Sequence, residues 1–135
     1  MVTVQIILDT NIPVLAIEGN FHLHEELERL ISQKHEIVFL SACLREMDII
    51  ETKGRKLSRA IQLARKILEQ IKIIEYDPPD ITNVDDIILS YAKKHRPNCV
   101  VVTNDKGLKR KLRKEMIPVI FVKTLDHFEL IGSID

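Results

Sequence analysis

The stretch "VQIILDTN", residues 4–11, decides the fold. Val4, Ile6, Ile7 and Leu8 form a short, apolar, β-branched run that predicts a buried strand. Asp9, Thr10 and Asn11 then end it abruptly. A carboxylate at such an exit is costly unless it meets solvent, a cap or a cation. Thr10 or Asn11 capping a following helix accounts for the polar residues one by one. The rest of the chain decides whether Asp9 does more.

Four further strand-like runs follow, at residues 36–40, 72–76, 99–103 and 118–122. Between them the apolar residues recur at helical spacing. Leu23, Leu27, Leu30 and Ile31 form one stripe; Leu57, Ile61, Ala64, Ile67, Leu68 and Ile71 form another. Ser41 stands where an N-cap belongs, Gly54 separates two helices, and Asn83 can cap "VDDIILSYAKK". Residues 106–114 predict a last, very basic helix. Strands alternating with helices imply a parallel sheet covered on both faces, here of about five strands. The tail "TLDHFELIGSID" fits either a short edge strand or a terminal helical turn. With no repeat, low-complexity segment or linker, residues 1–135 are expected to form a single domain.

Composition sets the bounds. The 135 residues are 45% apolar and 30% charged, as in a soluble globular protein. No apolar run approaches the roughly 18–20 residues that span a bilayer. The N-terminus lacks the pattern of a signal peptide, so a cytoplasmic location without membrane contact is the expectation. Cys43 and Cys99 show no CxxC spacing, and the five histidines form no HExxH pattern; two reduced, buried thiols are expected.

The net charge of zero hides a strong segregation. Residues 93–114 carry nine bases against Asp105, a net of plus eight; residues 53–72 carry plus six. Residues 75–86 carry five acids and no base. Two basic blocks around an acidic one suit a polyanion processed at an acidic centre.

In an open parallel sheet, sites form outside the carboxyl ends of the strands. Asp9 ends the first strand and Asp105 follows the fourth, so both reach the same edge. Glu46 lies on the helix after strand two, and Asp85 or Asp86 opens the helix before strand four. Acids in a first helical turn are favoured by the dipole alone, and Asp105 could be a turn or cap residue. Four acids in register with one sheet edge are harder to explain singly. Converging carboxylates repel, and a hard divalent cation such as Mg²⁺ or Mn²⁺ resolves the repulsion.

At this point the chain resembles the PIN-domain ribonucleases. Their pattern places an Asp at the end of strand one, a Glu on the helix after strand two, an Asp opening a later helix, and T-x-D after strand four. Here these stretches are "ILDTN", "SACLRE", "VDDIILSYA" and "VVTND". The resemblance covers essentially the whole chain and implies a three-layer α/β/α fold. It implies an acidic metal centre of Asp9, Glu46, Asp85 and Asp105 holding Mg²⁺ or Mn²⁺, with Asn11 and Thr103 orienting the carboxylates. The family frame D-x-x-I-x-x-x-A fits Asp85 with Ile88 and Ala92, whereas Asp86 does not fit it.

The implied activity is endonucleolytic cleavage of single-stranded RNA, leaving a 5′-phosphate and a 3′-hydroxyl. Two branches of the family are open. One comprises VapC-type toxins, usually homodimers held by a small antitoxin; the other processes pre-ribosomal RNA alongside ribosome-assembly partners. The stretches "VDDIIL" and "TNDKGLKRKLRK" look closer to the second. A haloacid-dehalogenase phosphatase would want Asp where Asn11 stands, and a receiver domain would want its acidic pair near the N-terminus. The serious alternative is a catalytically inert PIN-fold RNA-binding or scaffold protein. Under either, Lys106, Lys109, Arg110 and Arg113 are candidate phosphate contacts. Their helix carries no aromatic residue for base stacking.

Overall fold

A computed structural model describes residues 2–19, 22–124 and 127–134. The elements in order are β1 (Val4–Leu8), α1 (Ile12–Gly19), α2 (Leu23–Leu30), β2 (His35–Leu40), α3 (Ser41–Glu51) and α4 (Arg55–Leu68). They continue with β3 (Lys72–Ile74), α5 (Val84–His95), β4 (Cys99–Val102), α6 (Lys106–Lys114), β5 (Val119–Thr124) and β6 (His127–Ile131). The strands form one sheet in the order β3-β2-β1-β4-β5-β6. β1 to β5 run parallel; β6 is antiparallel to β5.

The central strands are apolar because both their faces are covered. Ile6, Ile7 and Leu8 in β1 and all four residues of β4 are fully buried. Cys43 and Cys99 are free, as expected, and lie inside this core. Burial pushes the Cys43 thiol up to about 12 and that of Cys99 up to about 11, so neither is a nucleophile at neutral pH.

The strand order fixes where a site can form. From β1 the chain winds outward through β2 to β3, then returns to place β4 on the other side of β1. The winding therefore reverses between β1 and β4. A crevice opens outside the carboxyl ends of two such strands. Asp9 and Asp105 follow β1 and β4.

Three local expectations need correction. The sheet has six strands: residues 127–131 of the tail pair with β5 as an edge strand. Residues 125, 126 and 135 of that tail lie outside the described residues. The strand is held from α2, where Glu26 Oε1 accepts the Phe128 N–H at 3.0 Å and Arg29 Nη2 donates to the Phe128 carbonyl at 2.9 Å. Ser41 does not cap α3. Its hydroxyl accepts the Tyr76 N–H at 2.8 Å, and the Tyr76 carbonyl accepts from Ala42 N. That exchange also draws Glu75 and Tyr76 out of the predicted third strand, which ends at Ile74. Asn83 does cap α5, accepting from Asp85 N at 2.8 Å, and Gly54 with φ of 142° separates α3 from α4.

Candidate metal centre

Asp9 is carried into the crevice by the sheet itself. Its backbone N–H continues the β1–β4 pairing by donating to the Val102 carbonyl at 2.9 Å. The carboxylate is 8% exposed, and both of its oxygens are held: Oδ1 accepts from Thr10 N at 2.8 Å and Oδ2 from the Thr103 hydroxyl at 2.6 Å. Thr103, fully buried, accepts in turn from the Asp105 N–H at 3.0 Å. One hydroxyl thus ties the acid after β1 to the backbone of the acid after β4. This is the physical content of the T-x-D spacing.

Asp105 caps α6, with Oδ1 accepting from Leu108 N at 2.8 Å. A cap uses one carboxylate oxygen and leaves the other to the crevice. A side chain at Gly107 would crowd that capping oxygen, since a Cβ there lies 3.2 Å from it. Glu46 stands one turn into α3 and Asp85 in the first turn of α5.

These four acids line a single cleft of about 550 Å³, together with Asn11, Asn83, Asn104 and Glu18. Two other hollows, of about 640 and 680 Å³, are larger, but each is lined by only one carboxylate. Asp86 is not on the cleft wall: Lys111 of α6 donates to its Oδ1 at 2.9 Å. Glu18 is a fifth acid that the four-motif pattern omits. Asn11, Leu15 and Glu18 recur at the i, i+4, i+7 spacing that puts them on one face, and all three line the cleft.

The mutual charge is legible in the acids' proton affinities. Burial raises the Asp9 carboxyl above its ordinary value and outweighs the lowering by the Thr103 and Thr10 hydrogen bonds; Glu46 and Asp105 add smaller upward pushes. Burial, then the charges of Asp9, Asp105 and Glu46, push Asp85 up to about 6 against the pull of Lys111. An ionised Asp85 is therefore a liability while the cleft holds no cation. The protonated form stabilises fully below about 3.8 and is lost as pH rises through about 6. Asp85→Asn should consequently melt above the wild type at neutral pH in EDTA, with the gap closing as pH falls toward 4. Thermal unfolding of both proteins across that range checks this; a gap independent of pH would refute it. The dipole gain of an acid in the first helical turn, at most about 1 kcal/mol, opposes the effect and is already outweighed in the raised value.

Among the described residues, the charged donors facing the cleft are all carboxylates, with no histidine or cysteine lining it. That set suits a hard cation. Among the described residues no three acidic, histidine or cysteine side chains stand as a ready-made cage. Mg²⁺ keeps several waters and is usually held by one or two carboxylates, so an open acidic wall fits it better than a closed cage would.

The basic groups are only partly arranged as the charge blocks suggest. Lys106 and Arg110 are exposed on α6, and Lys109 Nζ lies over the Phe121 ring, 3.9 Å from its centre. Arg113 is placed elsewhere. Its Nη1 donates to the Ile117 carbonyl at 3.2 Å and lies where a side chain at Gly132 would fall, in a different hollow. Arg65 pairs with Asp48 and Glu51, Lys72 with Glu36, and Asp77 with Arg45.

The family described as "PIN like domain" matches residues 6–124. The chain belongs to this PIN-like domain family. The ribonuclease VapC4 of Methanocaldococcus jannaschii is 33% identical to this PIN domain in an alignment 134 positions long that covers 96% of this chain and 98% of the relative. Among solved structures, the PIN domain endonuclease Utp24 superposes with a TM-score of 0.74 at 24% identity, covering 97% of this chain and 93% of that one. VapBC2 from Rickettsia felis, bound to a DNA fragment from its promoter, gives 0.63 at 22% identity, covering 87% and 98%. The two structures share the fold of this PIN domain, a three-layer α/β/α arrangement around a mostly parallel sheet. Ribonucleases of the family generally depend on a divalent metal.

Proposed function

We propose that this PIN domain is an endoribonuclease that cuts single-stranded RNA at a Mg²⁺ or Mn²⁺ centre built from Asp9, Glu46, Asp85 and Asp105. The observation that carries this is the convergence of the four acids in one cleft at the point where the strand order reverses. Asp9 and Asp105 are the principal ligands, since Thr103 holds them in fixed relation. Glu46 and Asp85 complete the donor set and position the attacking water. Thr10 N and the Thr103 hydroxyl orient the Asp9 carboxylate, and Asn11 lines the same cleft as a further polar group. When bound, the cation neutralises the acids, orients a phosphate and acidifies the water that attacks it. Lys106, Lys109 and Arg110 supply phosphate contacts from α6; Arg113 serves the fold.

The VapC relative, matched over nearly its whole length, favours a toxin role over pre-ribosomal RNA processing. The corresponding partners are a small antitoxin and a second copy of this chain, in the cytoplasm. The test is cleavage of a labelled single-stranded RNA by the wild-type protein in Mg²⁺, in Mn²⁺ and in EDTA. Cutting in either metal that stops in EDTA is expected. RNA binding without cutting in both metals would overturn the nuclease and favour an inert RNA-binding module.

A further inference from the structure

A second cleft, of about 480 Å³, adjoins the acidic one and shares Glu46 and Asn83 with it. Its other walls include Arg45, Ile49, Lys53 and Thr82. Glu46 and Ile49 stand at i and i+3 on α3, and Lys53 lies in the turn just past its end; all three line this cleft, which leads from the acid out to the lysine.

The chemistry of this arm differs from that of the centre. Among the described residues, Glu46 is the only acid on its walls. Arg45 is occupied, with Nε and Nη2 donating to the two Asp77 oxygens at 2.7 and 3.0 Å. Lys53 is exposed and has no ion-pair partner among the described residues. Ile49, 52% exposed, offers an apolar surface between Glu46 and Lys53. An unneutralised cation beyond an apolar step, continuous with a phosphate-cutting centre, suits a nucleic-acid strand: phosphate on the lysine, base on the aliphatic surface.

We infer that the RNA strand leaves the acidic centre along this arm, with Lys53 binding a phosphate and Ile49 receiving the adjoining base. Lys106 and Arg110 then hold the strand on the other side of the centre, so the substrate crosses the cleft instead of lying along α6. The inference rests on the proposed function, and its test separates the two.

The experiment titrates labelled single-stranded RNA into Asp9→Asn protein in Mg²⁺, across a range of KCl. The same titration is made with Lys53→Ala and Lys53→Arg added to that background. Lys53→Ala should weaken binding about three- to tenfold and lower the salt slope by roughly 0.7, the share of one single-strand phosphate contact. Lys53→Arg should restore both. Equal affinities and slopes in all three proteins would overturn the arm while leaving the nuclease standing. Failure of the parent to bind any RNA, together with no cutting by the wild type, would overturn both.

Discussion

Asp9→Asn should lower RNA cleavage by about 10³-fold or more, equivalent to about 4 kcal/mol of transition-state stabilisation. The substitution keeps the size of the side chain and an oxygen that can accept from Thr10 N. What it removes is the negative charge that attracts a cation, together with the Oδ2 acceptor of the Thr103 hydroxyl, which can accept from the amide instead. Burial and the neighbouring acids already hold the Asp9 carboxyl above its ordinary value, so the charge is costly to the metal-free protein. Asp9→Asn should therefore melt no lower than the wild type in EDTA while losing its activity. A large drop in melting temperature would instead show Asp9 to be a structural residue whose loss disables the protein indirectly.

Thr103→Val should have the next largest effect. Valine matches threonine in shape but cannot donate to Asp9 or accept from Asp105 N, and both groups are left without that partner. An unmet buried polar group costs about 1–3 kcal/mol, which a denaturation curve would register. Loss of a residue that orients metal ligands typically costs about 10- to 100-fold in activity. A further readout separates positioning from plain stability. Thr103 lowers the proton affinity of Asp9, so its removal should move the acid limb of the pH–rate profile to higher pH. Thr103→Ser should return the limb to its place because it restores the hydroxyl. An unmoved limb in Thr103→Val would leave the residue with a structural role alone.

Much of this architecture is legible in the chain because buried parallel strands are continuous apolar runs. "VQIIL" and "CVVV" need no partner to be recognised, and the acids that follow them fall on one edge by topology. The differences arise where long-range contacts override local preference. Ser41 has the chemistry of an N-cap, but a backbone N–H 35 residues onward takes its hydroxyl. "HFELI" alternates polar and apolar residues, but five residues do not separate a short edge strand from a helical turn; the pairing with β5 does, and Glu26 and Arg29 of α2 bond its Phe128 backbone. Asp85 and Asp86 are adjacent acids in one first turn, and only the packing of α6 against α5 assigns Lys111 to the second. Arg113 looks equivalent to its basic neighbours until Gly132 and Ile117 enclose it. Glu18 was within reach of helical spacing from Asn11, given that α1 borders the crevice.

Binding of a divalent cation in the acidic cleft through Asp9 can be tested without any substrate. Mn²⁺ titrated into the wild-type protein and into Asp9→Asn can be followed by the electron paramagnetic resonance signal of the free ion. The wild type should take up Mn²⁺, and Asp9→Asn should bind it about 100-fold more weakly or worse, a loss at least as large as that from disturbing a ligand's supporting contacts. Equal uptake by both proteins, or none by the wild type, would contradict the account.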